Sequence, residues 1–154
     1  EHIIGHIFWG AVIGLGTLSI RYIILGGSFA ILLDADHLLQ FLDIELVARM
    51  SHSIPFAIIA TIVFFIILRG KDLRIAAVVF GAILSHIAFD VFLADMAFDT
   101  STTFPLFSPF MLDRIEFAGL DWLWIEIIGV SIVAVTSYLF KKKENKLESN
   151  LTKT

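Results

Sequence analysis

The chain has 154 residues, of which 58% are hydrophobic and 17% charged. Its mean hydropathy is +0.89; this is more apolar and less charged than a soluble domain of this length, and it points to a single integral membrane unit. A formal charge of −4 with no basic face gives no sign of a nucleic-acid partner, and the absence of cysteine excludes disulfides and thiolate metal ligands, so any metal must be held by nitrogen and oxygen.

Five apolar stretches follow one another: Ile3 to Ile20, Tyr22 to Leu42, Ile54 to Leu68, Leu73 to Ala94 and Leu120 to Phe140. The opening Glu1-His2-Ile3-Ile4-Gly5-His6 carries no basic leader, and with no methionine its start reads as trimmed. A crossing helix needs about 20 residues. The first, fourth and fifth stretches meet that directly. The third does so if its helix begins before Ser51, and the second if its acidic cluster lies within the span or at its mouth. Backbone groups in lipid require helices or a closed barrel, and these runs lack the alternation of barrel strands. The expectation is an all-α, polytopic membrane bundle of about five transmembrane helices, occupying residues 1–140, with a metal site at its extracytoplasmic end. Residues 141–154 form a polar cytoplasmic tail, expected to fray.

The connections are short, as at Arg69-Gly70-Lys71-Asp72, except from Asp95 to Gly119. That segment, with two prolines and many aromatics, is expected to form an ordered, partly buried loop that shapes substrate entry. Gly14-Leu15-Gly16 and Gly26-Gly27 suit close helix packing. Trp9, Trp122 and Trp124 read as interfacial anchors.

Orientation follows from the basic residues. Arg21, Arg69, Lys71, Arg74, Lys141, Lys142, Lys143, Lys146 and Lys153 fall on one side of a five-span arrangement, and only Arg49 and Arg114 on the other. The first side is therefore cytoplasmic. This gives an integral inner-membrane protein with its amino terminus outside and its carboxyl terminus inside.

The five histidines fall at the outer end. His2 and His6 are spaced i,i+4 on the first helix. Asp34 and His37 are i,i+3 neighbours in the second, with Asp36 pointing elsewhere unless the helix breaks. His52 begins the third helix between Ser51 and Ser53. His86 and Asp90 are i,i+4 in the fourth, and Glu126 lies about one turn into the fifth, after Asp121. Imidazole and carboxylate are the ligand set for zinc, with manganese or iron as alternatives, and ionisable groups at bilayer depth mark function. Ser51, Ser53 and Ser85 adjoin histidines and can orient them. The metal ligands expected are His6, Asp34, Asp36, His37, His52, His86 and Asp90, with Asp36 or Glu126 as the catalytic base.

Structural readings stand beside these. His2 suits a helix-end interface residue, Asp34-Ala35-Asp36-His37 suits a helix cap, and His86 with Asp90 suits a buried hydrogen-bonded pair. Asp43, Glu45, Asp95, Asp99, Asp113 and Glu116 read as solvated loop charges.

In series, Gly5-His6, Leu32-Leu33-Asp34-Ala35-Asp36-His37, Met50-Ser51-His52-Ser53, Ser85-His86-Ile87-Ala88-Phe89-Asp90 and Phe107-Ser108-Pro109-Phe110 resemble the YdjM-like family of membrane-bound metal-dependent hydrolases. Leu33 stands where that family has proline, and Val47-Ala48 stands where it often has His-Arg, with Arg49 displaced by one position. The family in turn resembles the zinc-dependent phospholipase C and single-strand nuclease superfamily. The resemblance implies hydrolysis of a phosphoester, such as a phospholipid headgroup, by a metal-activated water. The competing expectations are a transporter using the same cluster as an ion site, and a non-catalytic membrane protein with a structural metal.

Overall fold

The computed structural model describes residues 2–33, 50–68, 70, 72–98 and 102–151. Among the described residues there are five helices and a small hairpin: α1 (His2–Leu15), α2 (Ile20–Leu32), a 3-10 turn (Met50–His52), α3 (Ile54–Ile67), α4 (Leu73–Phe98), β1 (Thr102–Phe104), β2 (Ile115–Phe117) and α5 (Asp121–Leu151).

The 26-residue α4 is apolar around its whole circumference, the pattern of a helix enclosed by others. It is the axis of the fold and packs against each of the other four helices. Val78, Val79, Ala82, Ile83, Ala88 and Val91 are wholly buried on it. The other helices bury one stripe and turn apolar side chains outward. On α1 the stripe is His6, Gly10, Ile13 and Gly14, the i, i+4, i+7, i+8 spacing of a single face. On α3 the buried position is Ala57, while Ile59, Ile62 and Ile66 are exposed.

Glycines set the closest crossing. A Cβ built on Gly26 would stand 2.2 Å from the Gly10 carbonyl oxygen, and one on Gly10 would stand 2.5 Å from that of Gly26. The backbones of α1 and α2 therefore touch where the glycine pairs predict close packing. Gly81 and Gly129 do the same, less tightly, between α4 and α5.

The first apolar stretch does not continue to Ile20. Its helix stops at Leu15, where the Thr17 hydroxyl donates to the Gly14 carbonyl (2.8 Å), Leu18 takes a positive φ of 55° and Ser19 opens α2 in extended geometry. A hydroxyl competing for helix carbonyls beside two glycines ends the run despite its hydropathy. The third helix begins at Ile54, after Ser51 rather than before it. Ser53 caps it by accepting from the Phe56 N–H (3.3 Å), with Pro55 in the first turn. The tail is helical rather than frayed as far as Leu151, since Lys, Glu and Leu are good helix formers.

Among the described residues, Leu73–Met96 and Asp121–Asn150 are long and apolar enough to cross a membrane. The other three helices have 14, 13 and 14 residues, about 20 Å each at 1.5 Å per residue.

Residues 102–119, the described part of the segment after α4, carry an antiparallel pair within the helical frame. Thr102 faces Phe117, Thr103 faces Glu116 and Phe104 faces Ile115. The Leu106 carbonyl accepts from the Ile54 N–H (2.8 Å), fixing the loop to the start of α3. Asp95 is not a solvated loop charge. It lies in the last turns of α4 and accepts from the Gly119 N–H (3.1 Å), tying down the hairpin's exit. The Trp9 and Trp122 rings meet at 5.5 Å within a cluster that includes Phe89 and Phe92.

Candidate metal centre

Two helices and the 3-10 turn deliver the site. His6 comes from the second turn of α1, His52 from the turn before α3, and His86 and Asp90 from successive turns of α4, where the i,i+4 spacing puts them on one face. The three imidazoles are almost fully enclosed, at 3%, 2% and 0% exposure. Asp90 retains 20% exposure in its side chain.

His86 is held from behind. Its Nδ1 lies 2.9 Å from the Ala30 carbonyl oxygen on α2. A carbonyl only accepts, so Nδ1 carries the proton and the Nε2 lone pair faces the cluster. His52 is held similarly, with its Nδ1 2.9 Å from the Ser51 hydroxyl. The two Nε2 edges converge, His52 Nε2 on His86 Nε2 at 3.0 Å. Asp90 closes the group: one oxygen is 3.3 Å from His52 Nε2 and the other 3.5 Å from His6 Nε2. His6 stacks on His86, with ring centroids 3.9 Å apart and planes 16° apart. Phe89 meets His6 edge-on, and Phe104 of the hairpin stacks on His52.

His6, His86 and Asp90 each offer a ligand atom within 4.8 Å of the others and can hold a metal ion. Donors bound to one ion at about 2.0–2.1 Å lie about 3.0–3.5 Å from one another, and the His52–His86, His52–Asp90 and His6–Asp90 separations fall in that range. The Nδ1 contacts to the Ala30 carbonyl and the Ser51 hydroxyl are the outer support that metal-ligating imidazoles require. The donor set therefore fits a divalent cation bound through nitrogen and oxygen. Without the ion, the same atoms form a buried hydrogen-bonded group in which His52 Nε2–H donates to His86 or Asp90.

No family model matches the chain, and neither a curated protein nor a solved structure matches it. The site rests on its own geometry.

Of the residues expected to act, His6, His52, His86 and Asp90 come together. Asp34, Asp36 and His37 lie outside the described residues. Glu126 is not a member of the His6–His86–Asp90 group. It faces α4 one turn from the Gly81–Gly129 contact and approaches the Ser85 hydroxyl, with Glu126 Oε2 and Ser85 Oγ both buried. The three serines thus divide: Ser51 supports His52, Ser53 caps α3, and Ser85 turns to α5. The Ala30 carbonyl escapes sequence reasoning because a main-chain acceptor has no side-chain signature. The one trace of it is a small residue on α2 that lets an imidazole reach the backbone.

At the opposite end of the bundle, Asp72 accepts hydrogen bonds from Arg74 (2.9 Å) and from the Tyr22 hydroxyl. Burial works to raise the Asp72 carboxyl, but the Arg74 and Tyr22 hydrogen bonds outweigh it and hold the group below the ordinary aspartate range. Arg74 also lies over the Phe140 ring, 4.2 Å from its centroid. This cluster ties α2, the α3–α4 turn and α5 together on the side rich in lysine.

Proposed function

We propose that the chain is a membrane-embedded, metal-dependent hydrolase of a phosphoester, of which a phospholipid headgroup is the leading case, and that it belongs with the YdjM-like hydrolases it resembles. The observation that carries this reading is the convergence of two backed imidazole edges and a carboxylate, at 3.0 and 3.3 Å, inside an otherwise apolar bundle. So many ionisable groups are not enclosed without a compensating charge. In this reading all five helices lie in the inner membrane, with the site on the outer side, the carboxyl terminus in the cytoplasm, and zinc as the ion. Support comes from the outward apolar side chains of α1, α2, α3 and α5 and from the lysines gathered at the far end.

A divalent metal bound there supplies Lewis acidity and an activated water. The residues supply the rest. His86 presents a fixed tautomer, His52 is anchored by Ser51, Asp90 spans the gap between His52 and His6, and Phe89 and Phe104 wall the imidazoles from bulk water. The proton acceptor is a carboxylate, Asp36 or Glu126, the latter beside Ser85 and hence one residue from His86. A transporter would need a polar route to the far end, whereas the described α4 residues between His86 and Arg74 that are buried are mainly Val78, Val79, Ala82 and Ile83.

Elemental analysis of detergent-purified protein tests the reading, followed by a screen of phosphodiester and phospholipid substrates. Near-stoichiometric metal is expected in the wild type. Loss is expected in both His86→Ala and Asp90→Asn, with circular dichroism showing that the helices persist. A wild type free of metal after reconstitution with zinc, manganese and iron sinks it.

A further inference from the structure

The hairpin that stacks Phe104 on His52 ends in a loop whose side chains the fold does not use. Phe110 is 83% exposed and Leu112 67%, with Phe107 and Met111 also outward. The loop is nonetheless built firmly. Phe110 N–H and Met111 N–H both donate to the Phe107 carbonyl (2.9 and 3.1 Å), and Ser108 N–H donates to that of Pro105 (3.0 Å). Its base is closed by Arg114, which donates to the Thr103 hydroxyl and carbonyl, each at 2.9 Å. Holding four large apolar side chains in water costs about 25 cal/mol for each Å² left exposed, and an ordered apolar patch marks a contact surface.

The surroundings say which contact. The Leu106 carbonyl accepts from the Ile54 N–H, so the root of the loop is tied to the first turn of α3, a helix that itself turns Phe56, Ile59 and Ile62 outward. Immediately after Leu112 come Asp113, Arg114 and Glu116, all exposed. The change from apolar to charged within a few residues is the profile of a segment at a lipid–water boundary, where aromatic side chains concentrate.

We propose that the Phe107–Leu112 tip inserts into the acyl region of the outer leaflet, so that the site is supplied with an amphiphile from the bilayer rather than with a soluble phosphoester. This rests on the membrane reading above. One hairpin then touches lipid at its tip and a site imidazole at its root, and a lipid drawn in along α3 brings its headgroup towards His52 and Asp90.

The chain has no cysteine, so single nitroxide labels report one position at a time. Phe110→Cys, Glu116→Cys and Ile128→Cys are labelled in full-length protein reconstituted into phosphatidylethanolamine–phosphatidylglycerol vesicles, and collisions with oxygen and with a water-soluble nickel chelate are measured. The oxygen-to-nickel ratio is expected to be several-fold higher at Phe110→Cys and Ile128→Cys than at Glu116→Cys. A Phe110→Cys label as open to nickel as Glu116→Cys, with Ile128→Cys in lipid, overturns the insertion alone. A label at Ile128→Cys that is open to nickel overturns the membrane reading itself. A Phe110→Cys label shielded from both reagents means that protein covers the tip, and that too overturns the proposal.

Discussion

His86 sits where a lone imidazole would be least at ease, with no exposure and with another imidazole edge 3.0 Å from its Nε2. What makes the position tenable is the Ala30 carbonyl behind it, which fixes the proton on Nδ1 and aims a lone pair at its neighbours. Ser51 orients His52 through a side-chain hydroxyl at its Nδ1, and can therefore be removed without touching the backbone. Ser51→Ala is expected to weaken metal binding about 10–100-fold, as loss of an outer partner typically does, read by competition with a chromophoric chelator. Ser53→Ala, two residues on, is the matched control. It removes the α3 cap, costs about 1 kcal/mol of stability, and leaves metal affinity unchanged. A second residue-scale outcome concerns Asp72. Its folded carboxyl is held below the ordinary aspartate range, so its contribution is present above the unfolded value and is lost as pH falls through the folded one. Asp72→Asn is expected to melt below wild type at neutral pH, with the gap narrowing as pH drops below about 4; a gap independent of pH would show that the Asp72 charge contributes nothing.

At the scale of elements, hydropathy located every helix of the described chain but not its ends. The first stretch breaks at Gly16–Ser19 because Thr17 takes the Gly14 carbonyl, a local hydrogen bond that a hydropathy pattern does not register. The tail stays helical because helix propensity acts independently of burial. The hairpin was legible only as an ordered loop, since three-residue strands leave too short an alternation to read. The site was legible to the extent that its ligands carry distinctive side chains at helical spacing, which covers His6, His52, His86 and Asp90. It was not legible where the partner is main chain, as at Ala30, or where two helices decide a facing, as for Ser85 and Glu126. The glycine pairs are the clearest success, and they carry a prediction. In Gly26→Ala the new methyl would meet the Gly10 carbonyl at 2.2 Å, a backbone atom that cannot swing aside, so α1 and α2 must part. A loss of about 1–3 kcal/mol is expected from such overpacking, read as thermal unfolding in detergent. Because α1 carries His6 and α2 carries Ala30, metal affinity should fall with it; unchanged stability would mean that the two helices are not held in contact there.

Across the whole molecule, the two polar clusters occupy opposite ends of one helix. His86 and Asp90 lie in the second half of α4, while Asp72 and Arg74 stand at its start; the 16 residues between Arg74 and Asp90 correspond to about 24 Å at helical rise. The side chains buried between them are nearly all apolar, and those turned outward on α1, α2, α3 and α5 are apolar as well. A molecule with polar groups at its two ends and apolar side chains both inside and around its waist matches a bilayer, whose core is about 30 Å thick. In the membrane reading proposed above, the lysine-rich end, carrying Lys141, Lys142, Lys143 and Lys146, would be the cytoplasmic one by the charge rule. Sidedness follows as a sharp expectation. Ala118→Cys, beside the Gly119–Asp95 tie at the site end, should react with a membrane-impermeant maleimide in intact cells. Asn150→Cys, at the far end of α5, should react only after permeabilisation. Labelling of both from the same side would remove the crossing of α5, and the reverse pattern would place the metal centre in the cytoplasm, where the charge rule does not put it.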